Sequence, residues 1–141
     1  RIGRQAEETA RVLKLPRSRV FTVSAQKALA AKIRGDAALR AVADEVRRFA
    51  GPLELPCRLG GDEFAVVLRV ADEGDLANRA LGLLATIRAL RLPSLREHTL
   101  SISVGGVFCD DPGGWSAWYS QGDIALYEAK SSGGDRWRLA L

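Results

Sequence analysis

Apolar and polar positions along the chain follow two rhythms, one of helical and one of extended period. From about Gly3 to Leu13, Ala6, Ala10 and Leu13 recur at helical spacing among charges, and Pro16 closes that segment. Arg19 to Ser24 is β-branched and aromatic, which predicts a strand. A short helix is predicted from Gln26 to Ile33, interrupted at Gly35. Asp36 stands where an N-cap belongs, ahead of Leu39, Val42, Ala43, Val46 and Phe49 on one helical face, and Gly51-Pro52 ends that helix. Leu53 to Leu59 and Phe64 to Val70 are extended runs joined by Gly60-Gly61-Asp62-Glu63, a hairpin in which glycine supplies positive φ. Asp72 to Leu92 is the longest predicted helix, with Leu76, Ala80, Leu83, Ile87 and Leu90 as its buried stripe and Pro93 as its stop. Leu100, Ile102 and Val104 alternate with Ser101 and Ser103, which predicts a half-buried strand. A loop from Asp110 to Gly114 leads to a helix near Ser116 to Lys130, and Gly133-Gly134 turns the chain into a last strand, Arg136 to Leu141.

Strands alternating with helices around one tight hairpin predict an α/β fold of the α+β sandwich kind, its central sheet mostly antiparallel and covered by helices. No repeat, low-complexity tract or linker interrupts the 141 residues, so 1–141 reads as a single domain. With 47% hydrophobic and 27% charged residues the chain can bury a core. No apolar run approaches the roughly 20 residues of a membrane helix, and no signal peptide opens the chain, so a cytoplasmic protein without membrane contact is expected. Lys and Arg number 21 against 17 Asp and Glu, for a net charge of +4. The basic residues are spread along the chain rather than gathered with aromatics, which argues against a nucleic-acid partner. Cys57, Cys109 and His98 cannot make a zinc site, and both cysteines read as buried fillers. Met is absent even at position 1, so a piece of a longer protein is expected.

The chemistry concentrates in Arg58-Leu59-Gly60-Gly61-Asp62-Glu63-Phe64, where two glycines and two consecutive carboxylates share a hairpin tip between apolar strands. Adjacent acids repel, and carboxylate oxygens suit Mg²⁺ (or Mn²⁺), which takes one or two protein carboxylates and leaves its other positions to water and substrate phosphate. Gly60 and Gly61 would let a triphosphate or base approach the backbone closely. A plain solvated turn is the alternative, because Gly and Asp are common turn residues.

This segment resembles the defining motif of the GGDEF family, the diguanylate cyclase domains of bacterial signalling. Gly35-Asp36 followed by Ala37-Ala38-Leu39-Arg40-Ala41-Val42-Ala43 resembles the family's GD-x-x-L-x-x-V-A helix. Leu100-Ser101-Ile102-Ser103-Val104-Gly105 is similar to its S-x-G-V strand, and Gly122 to Lys130 to its A-D-x-A-L-Y-x-A-K helix. The similarity covers roughly Gly35 to Leu141, with the first 34 residues divergent. It implies a palm-like βααββαβ fold and GTP as substrate. Two domains face each other, as a homodimer or by pairing with another GGDEF domain, and two 3′-hydroxyls attack two α-phosphates to give cyclic di-GMP and pyrophosphate. The protein's part is positioning and charge neutralisation by metal.

By this resemblance Asp62 is a metal ligand, and Glu63 assists the metal or accepts the attacking hydroxyl's proton. Gly60 and Gly61 border the nucleotide. Asp36 matches the acid that hydrogen-bonds the guanine edge, beside its plain reading as an N-cap. Lys130 matches the lysine that pairs with the triphosphate, beside its plain reading as a cation at a helix C-terminus. Asp123 reads as a residue that packs or caps, and Trp115, Trp118, Leu126 and Tyr127 as core or edge side chains.

The chain also departs from the family pattern. Where the first strand ordinarily carries D-x-D and then F-K-x-x-N-D, it reads Phe21-Thr22-Val23-Ser24-Ala25-Gln26-Lys27-Ala28-Leu29, without the metal-binding aspartate or the guanine-reading asparagine. After Lys130 a phosphate-facing arginine is replaced within Gly133-Gly134-Asp135, with Arg136 further on. The inhibitory R-x-x-D falls at Gly51-Pro52-Leu53-Glu54 and lacks its arginine, so no cyclic di-GMP binding is expected there. Two functions stay open on the sequence: a cyclase of weak or lost activity, and a degenerate module that binds GTP or dimerises without turnover. A third reading takes Val23-Ser24-Ala25-Gln26-Lys27-Ala28 as similar to the guanine-contacting S-A-K loop of GTPases, although no G-x-x-x-x-G-K-[ST] phosphate loop accompanies it.

Overall fold

The computed structural model describes residues 19–26, 35–93, 100–108 and 115–140, with 19–26, 35, 36 and 115 described by their backbone. The helix expected at Gly3–Leu13, the Lys27–Ile33 part of the short helix that follows the first strand, the loop at Asp110–Gly114, and His98 and Cys109 lie outside the described residues. Strand β1 spans Arg19–Gln26, so Gln26 ends the strand rather than opening that short helix, and helix α1 spans Gly35–Phe49. Strands β2 (Leu55–Gly60) and β3 (Glu63–Leu68) form the hairpin, followed by helix α2 (Glu73–Ala89). Strand β4 (Ser101–Val107), helix α3 (Trp115–Ser131) and strand β5 (Trp137–Leu139) complete the order.

The sheet order is β2-β3-β1-β4-β5. The β2–β3, β3–β1 and β1–β4 pairings are antiparallel and β4–β5 is parallel, as expected of a mostly antiparallel sheet. Alternate residues of each strand face opposite sides. Phe64, Val66 and Leu68 of β3 and Ile102 and Val104 of β4 join Ala38, Val42 and Val46 of α1 and Leu76, Leu83, Leu84 and Ile87 of α2 in the main core. Val67 and Val107 face the other way and pack on Trp118 of α3.

The helices form where caps and apolar stripes coincide. Asp72 caps α2, its carboxylate accepting from the Asp75 backbone N–H at 2.8 Å. That helix stops at Ala89 because Leu90 turns extended (φ −61°, ψ 134°), three residues before Pro93. Helix α1 already includes Gly35, so Asp36 belongs to its first turn rather than to the predicted N-cap.

The half-buried reading of β4 is corrected: Ile102 through Val107 are all buried, because α3 covers the second face. An added Cβ on Gly105 would lie 2.3 Å from the Gly122 carbonyl oxygen and 2.4 Å from the Leu126 nitrogen, so glycine is what seats α3 on the sheet. Ser103 is fully buried, while Ser101 at the start of the strand is half-exposed. Tyr127, read as a core or edge side chain, is 70% exposed, and Asp123, read as a residue that packs or caps, faces solvent.

Candidate active site

The hairpin closes through Gly61 and Asp62 alone. Gly60 (φ 150°) and Gly61 (φ 51°) both hold backbone angles that side chains disfavour, and the register shifts between Arg58 and Gly60. Arg58 completes the turn. Its Nε and one terminal nitrogen both donate to the Gly61 carbonyl, at 3.0 and 2.7 Å, which pins the loop from the strand that enters it. The sequence singled out the glycines and acids here but gave Arg58 no task, although a guanidinium three residues before a turn carbonyl is within reach. Gly60 and Gly61 are exposed and Asp62 and Glu63 half-exposed, so the tip is open to a ligand.

Glu63 begins β3 and pairs across β1 with Ser24, and Ser24 in turn pairs with Ser103 of β4. The position where an aspartate was expected is therefore the register neighbour of Glu63. Glu63 shares its side of β3 with Val67, the side that α3 covers. Its charge is felt by Tyr119 of α3: burial, then the negative charges of Asp123 and Glu63, then Cys57, push the Tyr119 phenol up. Burial likewise pushes up the Cys57 thiol, which donates to the Ala65 carbonyl at 3.4 Å; this cysteine is half-buried rather than the fully buried filler expected.

Topology brings the other two candidates toward the same end of the sheet. Helix α3 begins where Trp118 meets Val67 and Val107, crosses Gly105 at Gly122 and Leu126, and ends where Arg136 rejoins β4 by accepting from the Val104 N–H at 2.9 Å. It thus runs antiparallel to β4 and delivers half-buried Lys130 to the end at which Ser103, Ser24 and Glu63 stand. Helix α1 ends at Phe49, beside the start of β2, and so directs its first turn with Asp36 toward the tip end. Arg136, which follows the position of the missing phosphate-facing arginine, is committed within its own turn. Its Nε donates to the Gly134 carbonyl at 2.9 Å, folding the side chain onto its own loop, where Gly133 (φ 114°) and Gly134 (φ 71°) make the turn.

Among the described residues no three His, Cys, Asp or Glu side chains gather into a closed metal cage. The donors at the tip are hard carboxylate oxygens on an open turn. That set suits a divalent cation which completes its coordination with water and a ligand's phosphate oxygens, and does not suit a metal needing a full protein shell. The residues fit such an ion with one carboxylate fewer than the family pattern would supply, because position 24 is serine.

A sequence model of the family described as "Diguanylate cyclase, GGDEF domain" matches residues 32–136. The chain is 31% identical over 107 residues to the probable diguanylate cyclase DgcC of Escherichia coli (strain K12). That stretch is 75% of this chain but 29% of the relative, so the chain spans less than a third of the curated protein it matches. Among solved structures, the GGDEF domain of TpbB (YfiN) from Pseudomonas aeruginosa superposes with a TM-score of 0.78 at 27% identity, covering 99% of this chain and 87% of that one. The GGDEF domain of DgcB from Caulobacter crescentus, solved in complex with c-di-GMP, has the same fold, with a TM-score of 0.77 at 23% identity over 99% of this chain and 84% of that one. Among the described residues no helix is long and apolar enough to cross a membrane. With its glycine-acid tip at the head of the palm-like sheet and the family match running from residue 32 to 136, the chain belongs to the GGDEF family of diguanylate cyclase domains.

Proposed function

We propose that residues 1–141 act as one cytoplasmic GGDEF domain that takes up GTP with Mg²⁺ at the Gly60–Glu63 tip and makes cyclic di-GMP slowly, facing a second GGDEF domain. Gly60 and Gly61 let the nucleotide approach the backbone, and Asp62 and Glu63 hold the ion. Glu63 is also the group to which the attacking 3′-hydroxyl loses its proton. Asp36 accepts from the guanine edge and Lys130 pairs with the triphosphate. When bound, the ion supplies charge neutralisation at the phosphates. The remaining work of the chain is to hold a turn that side chains elsewhere would strain, with Arg58 fixing it.

One observation carries the slow rate: the register neighbour of Glu63 is Ser24, a neutral residue where the family pattern has a carboxylate. Removing one charged group from a site of this kind costs about 3 kcal/mol of transition-state stabilisation, and each 1.36 kcal/mol is tenfold in rate. A turnover about a hundredfold below that of a family member with the full motif is expected. The test is incubation of the chain with GTP and Mg²⁺, or Mn²⁺, and chromatographic detection of cyclic di-GMP and pyrophosphate. Glu63→Gln is expected to abolish both product and metal-dependent GTP binding, while a family-typical rate in the wild-type chain would refute the attenuated reading.

The same serine, together with the inturned Arg136, favours a second reading, a module that binds GTP or pairs with another GGDEF domain without turnover. Metal-dependent GTP binding with no product over hours, at concentrations where the domain self-associates, would select it.

A further inference from the structure

Ser103 is fully buried, and among the described residues its Oγ is the one buried side-chain polar atom without a hydrogen-bond partner. On the α3-facing side of the sheet its neighbour along β4 is Gly105 and its cross-strand partner is Ser24 of β1, with β3 one strand further on. A hydroxyl in such a place is a liability unless something accepts from it. The register says where that acceptor would stand. Glu63, Ser24 and Ser103 form one row across β3, β1 and β4, and rows across a sheet share a face. The row therefore runs from the acidic tip, through the position that lacks its carboxylate, to a buried donor.

We propose that Ser103 is a positioning residue of the tip site: its hydroxyl donates to the oxygen ligand that occupies the row beside Glu63 when metal and nucleotide are bound. In this chain that oxygen is a cation-bound water or a phosphate oxygen, and with a carboxylate at position 24 it would be the carboxylate itself. The inference rests on the tip being a metal–nucleotide site and adds a third strand to it. It also accounts for a buried hydroxyl that packing alone leaves unexplained.

The experiment is a binding cycle on the full chain, using Mn²⁺ followed by its spin-resonance signal and a GTP analogue with a methylene bridge between the α and β phosphates. S103A is expected to weaken metal-dependent uptake of the analogue about fivefold, with metal-free binding unchanged and the urea unfolding midpoint unchanged or higher. S24D is expected to tighten Mn²⁺ binding at least tenfold in the wild-type background and clearly less in S103A, because the new carboxylate loses its donor. If S103A binds the metal nucleotide as well as wild type, or if the S24D gain is the same in both backgrounds, Ser103 is a packing residue and the proposal falls. If the wild-type chain takes up no metal nucleotide, the parent reading falls instead. The S24D pair then decides this inference alone, through Mn²⁺ binding with and without S103A.

Discussion

Gly105→Ala is expected to cost a large share of the domain's stability. The new methyl would sit 2.3 Å from the Gly122 carbonyl oxygen, 2.4 Å from the Leu126 nitrogen and 2.8 Å from the Leu126 Cα. These are backbone atoms of α3, so no side-chain rotation relieves the clash, and the helix must lift from the sheet. Lifting it loosens Trp118, Ala125, Leu126 and Ala129, all buried on that face. Overpacking of this kind costs about 3 kcal/mol or more, out of a total of roughly 5–15 kcal/mol for a domain. Gly82→Ala is the control. It adds the same methyl in the middle of α2 with no heavy atom within 4 Å. There the gain in helix propensity is up to about 1 kcal/mol. Urea unfolding of the two variants should move in opposite directions, and equal midpoints would mean that α3 is not seated as described.

The same contact shows why part of the fold could be read directly from the sequence and part could not. The α1 and α2 stripes, the hairpin and the alternation of Ile102 and Val104 follow from local periodicity, which survives without knowing what packs where. Burial of the second face of β4 does not, because it depends on α3 arriving from beyond a loop to cover residues that look polar in sequence. Ser101 and Ser103 therefore predicted a half-exposed strand, whereas Ser103 is sealed in. At the site, the glycines and acids of the tip were legible because their types are chemically unusual between apolar strands. Arg58 and Ser103 were not, since the first acts through a turn carbonyl and the second through a cross-strand register. Substitution of the first-strand aspartate could be read as a departure from the family pattern, but only the pairing of Ser24 with Glu63 gives it a location.

Glu54→Gln is expected to destabilise the chain by about 3 kcal/mol at neutral pH, the low end of the scale for breaking a buried pair from one side. The Glu54 side chain is 8% exposed and its partner Arg79 23%. Arg79 donates to both carboxylate oxygens, with the second contact at 2.8 Å, while the Gly51 and Arg69 backbone N–H groups donate at 2.8 and 3.1 Å. Arg79 is itself tied down by the Phe49 carbonyl at 2.8 Å and lies 4.7 Å from the centre of the Phe49 ring. Burial on its own would push the Glu54 carboxyl up, but the hydrogen bonds from Arg79, Gly51 and Arg69, with the guanidinium charge, together hold it below the usual glutamate range. A lowered folded value means that the ionised form is favoured by folding. Its contribution is complete above the unfolded value of about 4.3 and is lost as pH falls through the folded one. Urea midpoints of wild type and E54Q should therefore differ most at pH 7 and converge on acidification below about pH 4, and a gap that persists to pH 3 would contradict the pairing. This carboxylate also occupies the acidic position of the family's inhibitory R-x-x-D, whose arginine is absent at Gly51. With Glu54 committed to Arg79 and no arginine at the head of the motif, cyclic di-GMP titrated up to about a hundred micromolar is expected to leave both the midpoint and any cyclase rate unchanged through this site. A saturable rise in midpoint that E54Q abolished would show instead that the pair opens to admit the dinucleotide.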